Sequence, residues 1–159
     1  LVLQRVSVVD FVVHHVNCTQ AAFWDDGDLF YGSTHQMPLY PGTGAASETG
    51  AGNIHNFPLA PGAAGIDFRD AVTDGLLPAL DAFKPEFLLI SAGFDAHADD
   101  PLAQLRLDTD DYTWVSRELL AVAARHCDGR LVSSLEGGYD LTALAMATAA
   151  HIRALMSGP

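Results

Sequence analysis

The chain has 159 residues, 49% of them hydrophobic and 18% charged, so it can bury a core of its own and is not a disordered segment. Its 20 acidic residues against 8 Lys and Arg give a formal charge of −12 with no basic cluster, which excludes nucleic acid as an expected partner and either serves solubility alone or favours cationic ligands such as amines. No apolar run reaches the ~18 residues of a membrane span, no signal peptide is visible, and Cys18 and Cys127 form no CxxC; a cytoplasmic location is the expectation.

The apolar run Val6-Ser-Val-Val-Asp-Phe11 reads as a buried strand. It leads into Asp10-Phe-Val-Val-His14, a carboxylate and an imidazole at a strand's C-terminal end, where open α/β sheets place their sites. A short helix is expected from near Asn17 to Trp24, and a second strand over Leu29–Ser33. The stretch Thr34–Gly52 is rich in Gly, Pro, Ser and Thr and reads as a long functional loop. Its Pro41-Gly-Thr-Gly44 turn, preceded by Tyr40, is placed to wall a pocket. A weaker strand signal covers Asn53–Leu59.

Phe68, Val72, Leu76 and Leu80 recur every four residues, predicting a helix with Asp67 as N-cap and Pro78 bending or interrupting it. Phe87–Ser91 is a strand signal that runs into Ser91-Ala-Gly-Phe-Asp95. Tyr112, Val115, Leu119 and Val122 form a helical stripe behind the acidic cap Asp108-Thr-Asp-Asp111. Leu131–Leu135 is the last strand signal and leads into Glu136-Gly-Gly-Tyr139. Leu141, Leu144, Thr148, Ile152 and Leu155 make a third helical stripe. This alternation predicts an α/β fold, a mostly parallel sheet with helices on both faces. The chain enters its first strand within a few residues of Leu1, so part of the domain is expected to be missing upstream.

Taken singly, the polar strand ends are ambiguous. His14 is either a hydrogen-bonded core histidine or a metal ligand; Asp10 either caps and orients or binds; Asp95 and Tyr139 occupy ordinary turn positions. Side-chain alternation would let a residue at position 12 face the same way as Asp10 and His14, and that residue is Val12.

Together, four ordered motifs resemble the zinc-dependent histone deacetylase family, including bacterial deacetylases and acetylpolyamine amidohydrolases. They are Val9-Asp-Phe-Val-Val-His-His-Val-Asn-Cys-Thr-Gln20, Ser33-Thr-His-Gln-Met-Pro-Leu-Tyr-Pro-Gly-Thr-Gly44, Ser91-Ala-Gly-Phe-Asp-Ala-His-Ala-Asp-Asp-Pro-Leu102 and Leu135-Glu-Gly-Gly-Tyr-Asp-Leu141. The resemblance covers essentially the whole chain. It implies an arginase/deacetylase-like fold, with residues 1–159 as the C-terminal part of a catalytic domain that hydrolyses acetyl-lysine or acetylpolyamine amides to acetate and amine.

By the same resemblance, His14 and Asp95 match two of three zinc ligands, and the third falls at Val12. Asp10 matches a residue that orients a catalytic histidine and, with Ser33 and backbone carbonyls near positions 12, 14 and 34, binds a structural monovalent cation, K+. Tyr139 matches the tyrosine that polarises the substrate carbonyl. Tyr40 matches an aromatic wall of the acyl-lysine channel and Leu102 its rim, while Gly137 and Gly138 allow close backbone approach.

The chain departs from the family's pattern in three ways. No histidine pair here matches the family's general-base pair, which lies upstream of the first motif; His14-His15 is not that pair. Val16 and Cys18 stand where the family has glycines. Val12 takes away an anionic zinc ligand. The expectation is a zinc site too incomplete for turnover, with a non-catalytic or pseudoenzyme binding role as the alternative. An exposed sheet edge is expected to favour self-association.

Overall fold

The apolar run at the start of the chain becomes the middle strand of the sheet. The computed structural model describes residues 2–158. β1 (Val6–Asp10) lies between β2 (Leu29–Gln36) and β4 (Phe87–Ala92), with β3 (Ile54–Leu59) and β5 (Leu131–Leu135) at the edges; all pairings are parallel, in the order β3-β2-β1-β4-β5. Four of the five residues of β1 are buried, which is what a strand covered on both faces requires.

Alternation sends Val9, Phe30, Leu88 and Ile90 to one face, where the main core forms with Phe68, Leu76, Leu80, Tyr112, Val115 and Leu119. Those partners come from α2 (Gly65–Ala71), a π-helical turn (Val72–Leu76), α3 (Leu77–Phe83) and α4 (Thr109–His126); α5 (Leu141–Met156) packs on α4. Val8, Tyr31 and Ile54 face the other way, against Phe23 of α1 (Asn17–Phe23) and Leu89. The expected α/β architecture with helices on both faces is therefore present, unevenly distributed.

Three local expectations need correction. β2 does not stop at Ser33 but continues through Thr34, His35 and Gln36, which pair with Phe57, Pro58 and Leu59 of β3. All three side chains are buried, and those of His35 and Gln36 are hydrogen-bonded, so a polar composition hid a strand. Asp67 is not the N-cap of α2; Ala64 is, and the Asp67 carboxylate, one turn in, accepts the Ala64 N–H at 2.8 Å. Pro78 does not break the helical segment. The wider π turn precedes it, and Pro78 sits in the first turn of α3, where its missing N–H costs little. Asp108 does cap α4 as expected, accepting from Asp110 and Asp111 N–H.

His151 of α5 is the buried polar link of the core. One ring nitrogen bonds Ser116 Oγ at 2.7 Å and the other Ser133 Oγ at 2.8 Å, tying α4 and β5 to α5. Burial holds His151 at about 4 and His35 at about 4, both below the ordinary 6.5. Burial lowers His15 and His55 as well, so below pH 6.5 the unfolded chain binds protons at these histidines that the fold refuses, and that stability is lost as pH falls through the window. Asp10, raised to about 7 by burial, works in the opposite direction with one proton. Thermal unfolding should show the melting temperature falling from pH 6.5 to 4, with a shallower fall in His151→Gln; an unchanged slope in that variant would count against the assignment.

β5 has no strand on its outer side among the described residues, and Val132 and Leu135 are 50% and 57% exposed there. Leu141 and Ile152 of α5 continue this apolar border. The bare edge should drive self-association, visible by light scattering after size exclusion, and Val132→Lys should raise the monomer fraction. A monodisperse wild-type monomer with cooperative unfolding would contradict this.

Candidate active site at the strand ends

β1, β4 and β5 finish side by side, with Asp10 in register with Ser91 and Ala92 with Leu135. The chain beyond each end turns in over the sheet: Phe94 N–H donates to the Gly137 carbonyl at 2.8 Å, and Phe11 N–H to the Ser91 carbonyl at 3.2 Å. Asp95 sits where these segments converge, 2% exposed. Its Oδ1 accepts the Val13 N–H at 2.9 Å, and its Oδ2 has no hydrogen-bond partner among the described residues. Burial pushes the Asp95 carboxyl above the usual range, against the pull of the Val13 N–H and of His14.

Two glycines make room for this carboxylate. A Cβ on Gly93 would lie 2.5 Å from Val12 Cα and 2.8 Å from Asp95 Oδ1; one on Gly137 would run into Asp95 Oδ2. Gly138 adopts φ 140°, a backbone open to glycine, and turns the chain toward Tyr139.

Asp10 lies one strand away and is buried. Its Oδ1 accepts the Val12 N–H at 2.9 Å and its Oδ2 the Tyr31 hydroxyl at 3.2 Å. Burial pushes it up to about 7, more than these two hydrogen bonds draw it down. Ser33 is its register partner on β2. His35 Nε2–H donates to the Gly44 carbonyl at 2.9 Å, so Nδ1 accepts the Ser33 hydroxyl, also at 2.9 Å. The Ser33 side chain, on the same face as that of Asp10, lies buried next to it in the sheet.

Tyr139 stands at the rim, 54% exposed. Asp100 holds its backbone: Oδ2 accepts the Tyr139 N–H at 2.7 Å and the Asp140 N–H at 3.3 Å, while Oδ1 accepts the Leu102 N–H at 3.0 Å. Motif spacing alone does not single out Asp100. The available signal was an Asp directly before Pro101, a residue pair that favours a turn whose backbone N–H groups the carboxylate accepts. Leu102 and Tyr40 are 49% and 80% exposed on flanking loops. The structure thus gathers Asp10, His14, Asp95, Gly137, Gly138 and Tyr139 at the strand ends and leaves Tyr40 and Leu102 at the periphery.

Two kinds of ion can be weighed against these donors. Asp10 and Ser33 offer oxygen only, which suits a hard monovalent cation. A catalytic zinc takes three protein ligands and an open position. Here His14 and Asp95 are joined by the apolar Val12, and no group of three His, Cys, Asp or Glu side chains among the described residues is placed to hold a metal. The residues present do not fit a catalytic zinc.

Because Gly137 leaves the space that Asp95 fills, Gly137→Ala should destabilise the chain by roughly 1–3 kcal/mol. Urea unfolding measures this, and an unshifted midpoint would contradict the wedge.

A sequence model described as the histone deacetylase domain matches residues 1–155. The chain is 44% identical over 161 residues to "Histone deacetylase 10, chloroplastic" of Oryza sativa subsp. japonica, covering 99% of this chain and 36% of that protein. It is 40% identical to a "Probable deacetylase" of Archaeoglobus fulgidus, covering 98% and 44%. The crystal structure of the HDA15 HD domain superposes with a TM-score of 0.92 at 35% identity, covering 98% of this chain and 45% of that one. The chain therefore spans less than half the length of these similar proteins.

Proposed function

Because the chain belongs to the histone deacetylase domain family, we propose that its strand-end site receives an N-acetylated amine, from an acetylated lysine or polyamine, and that this polypeptide as it stands does not hydrolyse it. The observation that carries this reading is the Asp95 carboxylate. It is locked between Gly93 and Gly137, the latter two residues before Tyr139, with one oxygen left unpartnered.

The chain's own residues have separable tasks in this reading. The Tyr139 hydroxyl donates to the amide oxygen, where charge develops when an acyl carbon is attacked. Asp100 fixes the tyrosine's backbone. Tyr40 and Leu102 flank the aliphatic chain of the substrate, and the −12 charge favours an amine-bearing ligand. Asp10 and Ser33 hold a monovalent cation of the K+ type. Val12 favours binding without turnover.

Saturation-transfer NMR with an acetyl-lysine peptide and with an N-acetylated diamine tests the binding, and acetate release tests turnover. The acetyl methyl should receive saturation, Tyr139→Ala should reduce it, and acetate release should equal the blank. Equal signals from acetylated and unacetylated peptides, or acetate release lost in Tyr139→Phe, would overturn the reading.

A further inference from the structure

We propose that Val12 is the single residue that keeps this site from holding a divalent transition metal, and that a carboxylate at position 12 completes a three-donor set with His14 and Asp95. The proposal rests on the family reading for the identity of positions 12, 14 and 95 as ligand positions. The rest follows from this chain's geometry.

Val12 and the Asp95 carboxylate both close on Gly93. A point one Cβ bond from Gly93 lies 2.9 Å from Val12 Cβ and 2.8 Å from Asp95 Oδ1, so position 12 and the carboxylate share one wall of the site. The backbone at position 12 is held independently of its side chain, because the Val12 N–H donates to Asp10 Oδ1. The neighbouring Val13 N–H holds Asp95. Val12 is 7% exposed, and its isopropyl group offers no lone pair to whatever occupies the space. The buried Asp95 Oδ2 has nothing to accept from. Two retained ligands and one hydrocarbon make a site that is ordered but one donor short.

An aspartate is close to valine in volume and adds the missing oxygen. His plus two carboxylates with an open position is a donor set that zinc and cobalt accept. Without metal, that aspartate adds a third carboxylate near Asp10 and Asp95, which destabilises the fold by like-charge repulsion. Metal binding should reverse this, because a ligand that binds only the folded chain raises its melting temperature.

The test uses the purified 159-residue chain, Zn2+ and Co2+. Wild type should hold no stoichiometric metal. Val12→Asp should bind one Co2+ per chain with visible d–d absorption, at least roughly 100-fold tighter than wild type. Its melting temperature should rise with Zn2+, and both effects should vanish in V12D/D95N. The D95N comparison separates this site from metal held by exposed Cys18 or surface histidines.

Val12→Asn, similar in shape and uncharged, controls for folding. If V12D folds only with metal, recovery on refolding with Zn2+ but not with a chelator supports the proposal. One metal per wild-type chain, lost in Asp95→Asn, would overturn it. So would V12D that neither binds nor refolds with metal while V12N folds. No acetylated ligand enters these measurements, so failure here and failure of the acetyl-amine reading are separate results.

Discussion

Asp95 accepts the Val13 N–H through one oxygen and presses the other against Gly137, and this contact joins the ends of three strands. The segment after β1, the loop after β4 and the turn after β5 all take their positions from it. Glycine at 93 and 137 is the condition for that arrangement, because a methyl group at either place would occupy the space of the carboxylate or of Val12. The carboxylate is held in place, yet burial raises its affinity for protons and one oxygen stays without a donor. Such a group is costly to bury unless something compensates it. That cost is the physical reason to treat the strand ends as a site and not as three adjacent turns.

The long irregular stretch between β2 and β3 is held by borrowed side chains. His15 Nε2 donates to Gln20 Oε1 at 3.1 Å, and its Nδ1 accepts from Thr43 at 2.8 Å. Glu48 accepts from Gln20 at 2.6 Å and from the Gly44 and Ala45 N–H groups at 3.0 and 3.1 Å. Gly44 has φ 92° and approaches the His15 and His35 rings so closely that no side chain fits there. The turn carrying Tyr40 is therefore fixed from β2 and α1 rather than by regular structure of its own.

Three residues that follow β1 lie between the sheet and this stretch. Val12 lies beside Asp95, Val16 directly precedes α1, and Cys18 is exposed on α1. None prevents the strands from reaching register, because β1 ends at Asp10, before any of them. Fold and chemistry are thus separable here. The sheet depends on the apolar run up to Asp10 and the site on the four residues after it.

The sequence by itself determined the order of strands and helices, because period-two and period-four apolar spacing survives in any one chain. It also placed Asp10, His14, Asp95 and Tyr139 at strand ends, with Val12 between the first two in the side-chain alternation. Tertiary structure decided what local spacing does not carry. Thr34, His35 and Gln36 extend β2 only because β3 and Gln104 supply partners for polar residues. Asp100 holds Tyr139 from 39 residues away, and His151 reaches Ser116 from 35. The unpartnered oxygen of Asp95 exists only once Gly93 and Gly137 close around it. Each of these depends on contacts between segments distant along the chain, and no local pattern encodes which distant group will arrive.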